Sequence, residues 1–409
     1  MMGNKSIIKI YFVLIIATML TCLCYAQNKY RILVENNNKF AFALCKTLAE
    51  DQSNLIFSPY SISTALSMAY AGAGGITEAQ MAKAMRLSLT QIETGPAYRD
   101  LRSILNKHKL NRSVKIGLAN SMWIESEFHI IPNYINTIKD DFGGKLFTAD
   151  FSTAKSRKKE VAKINAWVEK KTCHIIKDFL HEKLLTSTTR LILVNAIYFS
   201  GLWKFPFDLG NTRSMHFYIT EDKTVKVPIM YQKQDFNYTK NRLCRIIELP
   251  YLDDKLSMIV ILPINNDAMR ELLKDLSPTR LKSYLKSMKQ REVKVYLPRF
   301  EVIKSFSLKK NLISMGMSNA FSAEADFSGI TGKKTSIQIS DVIHKAFIKV
   351  DEKGTEAAAA TAAMFRKIAT SNEDYTFRAN HPFICMIKEN KTGSILFMGI
   401  ISDPTKADE

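Results

Sequence analysis

The residues of this chain that invite chemistry sit near its C-terminus. The segment reads Asp351-Glu352-Lys353-Gly354-Thr355-Glu356-Ala357-Ala358-Ala359-Ala360-Thr361 and continues through Phe365-Arg366-Lys367-Ile368-Ala369. Taken alone, the alanines favour a helix. From Thr355 to Ala363, however, every side chain except Glu356 is small. Such a run can leave solvent and become a strand inside an existing sheet without clashing at any inward position, so it reads as a stored conformational switch. Other constellations carry less. Ser58, His344 and an aspartate have the residue types of a nucleophilic triad, but the chain contains no G-x-S-x-G turn to expose the serine. Gly72-Ala73-Gly74-Gly75 lacks the Lys-Ser or Lys-Thr that follows a phosphate cradle and reads as a helix terminator. Cys45, Cys173, Cys244 and Cys385 are far apart with no C-x-x-C spacing, which leaves one or two disulfides or buried free thiols and argues against zinc. No catalytic residue, metal or cofactor is expected.

The elements that must position the segment follow from periodicity. A strand over 343–350 leads in, and a polar stretch over 370–380 leads out. The N-terminal half is mainly helical in pattern: Phe40, Leu44 and Leu48 recur at four-residue spacing, and Ser58-Pro59 opens an apolar helix over 60–71. Further helices are expected near 80–87, 97–107, 133–142 and 157–170. Leu191 to Phe199 is an almost continuous apolar run, as in a strand buried on both faces. Shorter strands are expected at 245–249, 257–262 and 292–297, with a helix over 279–289 between the last two. A hairpin closes the chain, 382–388 with 394–401, around Glu389-Asn390-Lys391-Thr392-Gly393. No repeat or Pro/Gly/Ser-rich linker divides these elements, so residues 27–409 are expected to form one α+β unit.

Residues 1–26 stand apart. Lys5 and Lys9 precede an apolar run from Ile10 to Leu20, and Cys24 and Ala26 supply small side chains before Gln27, the layout of a secretory signal peptide. The expected protein is therefore secreted and extracellular. The chain has 58 basic and 39 acidic residues, and removing Lys5 and Lys9 leaves a balance of about +17. That charge favours a polyanion, and outside the cell a sulfated glycan such as heparin, or an anionic lipid, fits better than nucleic acid. Lys282, Lys286 and Lys289 are spaced to share one face of the expected helix over 279–289. A second cluster comprises Arg99, Arg102, Lys107, Lys109 and Arg112, and a third Arg157, Lys158, Lys159 and Lys163. Asn111, Asn237 and Asn390 open N-x-S/T sequons for glycosylation.

The segment from Glu352 to Thr361 resembles the hinge of the reactive-centre loop of inhibitory serpins. Asn54 to Ile62, Leu193 to Phe199 with Gly201 and Trp203, Leu297-Pro298-Arg299-Phe300, Ala325 to Ile330 and His381-Pro382-Phe383 resemble further family motifs in the family's order. The resemblance implies a serpin fold with three β-sheets, eight to nine helices and an exposed loop over about 352–380. It implies a monomeric serine protease inhibitor that forms a covalent acyl complex and traps the enzyme by loop insertion. The hinge would comprise Glu352, Gly354, Thr355, Glu356, Ala357, Ala358, Ala359 and Ala360. Ser58, Ser61, Asn195 and His344 would form the shutter beneath the sheet, and Trp203 the breach where insertion begins. Counting from Gly354 in the family's register puts the scissile bond at Ile368-Ala369, whereas a trypsin-like enzyme, such as a clotting-cascade protease, would cut after Arg366 or Lys367. The Arg99–Arg112 cluster falls where the family's heparin-activation helix lies. The competing readings are a non-inhibitory carrier or chaperone of the same fold, and a secreted protein that acts mainly on glycan or anionic lipid.

Overall fold

The computed structural model describes residues 29–49, 53–106, 114–355 and 375–407. The expected leader at 1–26, Lys107, Lys109, Asn111, Arg112 and the switch segment from Glu356 through Ala369 lie outside the described residues.

The apolar run is the strand Leu191–Leu202, and it is buried on both faces because two cores meet across it. Leu191, Leu193, Ile197 and Phe199 belong to the main core. Ile192, Val194, Ala196 and Tyr198 belong to a second cluster with Val161, Ile164 and Val168 of the helix Ala154–Lys171. This strand lies within a six-stranded sheet ordered Phe300–Ser307, Ile339–Val350, Gly354–Thr355, Leu191–Leu202, Val114–Glu125 and Lys145–Ala149. The helix Pro59–Tyr70, buried along its length, passes between this sheet and the strand Ile395–Ile401 of the other. Pro59 sets its first turn, and the Ser58 hydroxyl caps it by accepting from the Ser61 amide.

The remaining strands form one nine-stranded network. Three sheets were expected, and the hydrogen bonds of the described residues make two. The strand Thr224–Lys240 is 17 residues long and pairs successively with Arg213–Tyr218, Lys289–Pro298 and Cys244–Pro250, which joins what would be separate sheets. The C-terminal hairpin forms as expected from Phe383–Glu389 and Ile395–Ile401, with Gly393 at φ 75° in its turn. The described residues contain ten α-helices, counting the four-residue turn Ser328–Thr331, so the expected number was slightly low.

One boundary changes a functional expectation. The helix expected over 279–289 is Pro278–Ser287, because Met288 is extended at ψ 142°. Lys289 opens the strand Lys289–Pro298 and pairs with Tyr238. Burial of Val293, Val295 and Leu297 favours strand pairing there. Lys289 therefore does not share a helix face with Lys282 and Lys286.

Candidate functional site

The site is a slot in the six-stranded sheet. Ile339–Val350 runs parallel to Leu191–Leu202 and pairs with it directly from Ile339–Leu191 to Phe347–Tyr198. Beyond Tyr198 the two strands part, and Gly354–Thr355 lies between them, antiparallel to both. Thr355 is fully buried, and its hydroxyl lies 2.8 Å from the Tyr251 hydroxyl. Gly354 has to be glycine: a Cβ there would come within 2.0 Å of the Gly201 carbonyl oxygen and 2.8 Å of the Leu202 Cα. The hinge thus begins as a strand already seated in the sheet, and the chain continues from it into the segment of small side chains.

The seat is held from above. Trp203 stacks on Tyr251 at 4.6 Å between centroids. Its indole N–H donates to the Asp351 carbonyl at 3.0 Å, and its amide donates to the Lys353 carbonyl at 2.9 Å. Glu352 is buried, and its carboxylate accepts from Arg299 Nε at 2.7 Å and from the Thr212 hydroxyl at 2.5 Å. Burial by itself would raise this carboxyl, but the donors Arg299 and Thr212 outweigh it and hold Glu352 below the usual range. Trp203 stands where the resemblance placed it. Arg299, Thr212 and Tyr251 were missed as site residues. Only Arg299 lay in a motif that could have signalled it.

Lower in the slot a polar row crosses the dry sheet. Asn120, Asn195 and His344 sit in register on neighbouring strands. The Ser58 amide donates to His344 Nε2 at 3.1 Å. Nε2 is therefore the acceptor, and Nδ1 carries the proton that it donates to Asn195 Oδ1. The Asn195 amide group donates to the Ser61 carbonyl at 3.0 Å and hydroxyl at 2.5 Å, and to Asn120 Oδ1. Ser58, Ser61, Asn195 and His344 are thus brought together as expected, and Asn120 completes the row. The Ser58 hydroxyl donates to the Leu396 carbonyl at 2.6 Å rather than to His344, so no nucleophile and base pair exists here. The bond from His344 to Asn195 spans the two strands that must separate to admit a longer insert.

Burial pushes the His344 imidazole down to about 3. Between that value and the ordinary 6.5, the unfolded chain binds the proton and the folded chain does not. The stability contribution is therefore complete above about pH 6.5 and falls at ~1.4 kcal/mol per pH unit as pH drops toward about 3. Urea midpoints of the first unfolding transition should fall between about pH 7 and about pH 5, and His344→Gln should remove that part of the slope. An unaltered slope in His344→Gln would show that this ring is not the group responsible.

The expected surface sites fare unequally. Lys282, Lys286 and Lys289 are all exposed. Arg99 pairs with Asp141 at 3.3 Å, and Arg102 donates to the Asp140 carbonyl at 2.5 Å, so both already tie their helix Gln91–Asn106 to Pro132–Asp140. Asn237 is exposed on a strand, with its amide donating to Glu248 at 2.9 Å. Asn390 uses both amide hydrogens in its turn, toward the Asp254 carbonyl at 2.8 Å and the Ser257 hydroxyl at 2.9 Å. All four described cysteines are free thiols. Burial pushes Cys45 and Cys385 up to about 12 and Cys244 up to about 11, while Cys173 is exposed.

Comparison with known proteins agrees with this geometry. The family model Serpin (serine protease inhibitor) matches residues 35–404. A leukocyte elastase inhibitor of Xenopus laevis is 38% identical over 375 residues, covering 89% of this chain and 97% of that protein. Serpin48 of the insect Tenebrio molitor, described as a highly specific serpin, superposes with a TM-score of 0.80 at 29% identity, covering 90% of this chain and 97% of the other. Human thyroxine-binding globulin, solved with thyroxine, superposes with a TM-score of 0.82 at 27% identity, covering 92% of this chain and all of the other.

Proposed function

The chain belongs to the serpin family, and we propose that it inhibits a serine protease by offering the loop beyond Thr355 as a substrate and then inserting that loop into the six-stranded sheet. The observation that carries this reading is the seated hinge: Gly354 and Thr355 already occupy the parted end of the slot. The small side chains from Ala357 onward can follow them inward. The protease serine attacks the scissile carbonyl and forms an ester, and the leaving amine takes the proton. Insertion then draws the esterified enzyme away from the geometry it needs to deacylate. A carrier of the same fold would have no use for a hinge free of bulky side chains.

The target divides on the bond cut. Cleavage after Ile368 fits an apolar specificity pocket, in keeping with the elastase inhibitor among the relatives. Cleavage after Lys367 or Arg366 fits a trypsin-like enzyme of the clotting type. The apolar 10–20 run behind Lys5 and Lys9 supports a secreted protein, and the balance of about +17 supports a polyanionic partner. Incubation with trypsin and with pancreatic elastase tests the reading. An SDS-resistant complex with either is expected, and the mass of the released C-terminal fragment assigns the bond. Clean proteolysis by both, with no complex, would favour the carrier.

A further inference from the structure

The structure alters the described part of each of the three basic clusters. Lys289 leaves the helix of Lys282 and Lys286, and Arg99 and Arg102 are engaged with Asp141 and the Asp140 carbonyl. In the third, Arg157 turns inward, its guanidinium donating to the carbonyls of Phe151 at 2.9 Å and Ser152 at 3.1 Å. Lys155 and Lys170 take its place. At ~100° per residue, Lys155, Lys159, Lys163 and Lys170 of the helix Ala154–Lys171 fall within an arc of ~80°, with Lys158 beside them. All five are exposed, and the remaining residue inside that arc is Ala166, with Ala162 and Glu169 between the arc and Lys158. The helix has two acids. Glu160 is buried and pairs with Lys163 at 2.6 Å, and Glu169 lies 3.2 Å from His174. Among the described residues, Lys155, Lys158, Lys159 and Lys170 have no acidic partner.

We propose that this row binds an extended sulfated polysaccharide. It runs ~22 Å along a helix whose opposite face is fixed by Val161, Ile164 and Val168, so the charges are presented on a rigid support. A compact anion would meet one or two cations. A linear polyanion lying along the helix neutralises the row at once and releases its counterions. A bilayer is the poorer fit, because the exposed arc offers alanine and lysine with no aromatic or leucine side chain to enter the interface. The inference specifies the polyanionic partner of the functional reading, and it is read on the inhibitor alone, so it stands or falls separately from protease trapping.

The test is titration of the full chain with size-defined heparin oligosaccharides at several salt concentrations. Lys155→Ala/Lys159→Ala/Lys170→Ala should weaken binding by about tenfold or more and lower the slope of log affinity against log salt by about one per lysine removed. Lys282→Ala/Lys286→Ala should leave both unchanged, and replacing the three lysines by arginine should retain binding. Matching melting temperatures exclude a folding defect. Heparin affinity and slope kept in the triple alanine variant would overturn the proposal. So would an equal loss in the Lys282/Lys286 variant, or binding to phosphatidylserine vesicles with none to heparin.

Discussion

Thr355→Arg will turn a protease trap into a protease substrate. Thr355 is fully buried between Val350 and Gly201, with its hydroxyl 2.8 Å from that of Tyr251, so an arginine there has no route to solvent while the hinge is seated. Burying an unpaired guanidinium costs several kcal/mol, which the variant avoids by leaving the slot. Folding should survive, because only the first residues of an optional strand are displaced. Trapping should not survive. Once the acyl ester forms, insertion competes with hydrolysis, and ~3 kcal/mol added to the insertion barrier lowers its rate by roughly a hundredfold. The variant should be cut at the wild-type rate while its SDS-resistant complex almost vanishes. Thr355→Ser, which keeps a small side chain and a hydroxyl, should trap normally. Full complex formation by Thr355→Arg would sink the insertion mechanism.

The slot was legible in part, and the parts differ for physical reasons. Leu191–Leu202 announces itself because burial on both faces demands an unbroken apolar run. Its neighbour Val114–Glu125 does not, although it is equally long. Gly117 is forced by Tyr198, whose ring would lie 2.1 Å from a Cβ there, and Asn120 is forced by the polar row. Tertiary demands therefore replaced the β-branched residues by which a strand is recognised. The shutter residues were recovered through the family's motifs, since Ser58 and Asn195 look unremarkable one at a time. Arg299, Thr212 and Tyr251 escaped because their role depends on meeting Glu352 and Thr355 across long sequence separations. Lys289 was misplaced for a narrower reason. The helix period was right for Lys282 and Lys286, but it was carried two residues past Ser287, where the chain changes to a strand.

Cutting the loop without trapping the protease should raise the melting temperature sharply. In the intact protein Ile339–Val350 and Leu191–Leu202 pair with each other in parallel. An inserted strand continuing from Thr355 would lie antiparallel to both, as Gly354–Thr355 already does. One parallel ladder is then replaced by two antiparallel ones, and the antiparallel pairing is the stronger per residue. A net gain of about ten hydrogen bonds at ~1 kcal/mol each gives ~10 kcal/mol, before the apolar contacts of the new strand are counted. In a chain of this size that corresponds to a rise on the order of 10 °C. Opposing it is the latch, since the bond from His344 to Asn195 must break before the strand can pass. That loss is a few kcal/mol at most and leaves the sign unchanged. The measurement is calorimetry of intact and loop-cleaved protein. Thr355→Arg serves as the control: cleaved but unable to insert, it should melt where its own intact form does. If wild type also melts at one temperature before and after cleavage, the slot stores no driving force and the seated hinge is a fixed part of the fold.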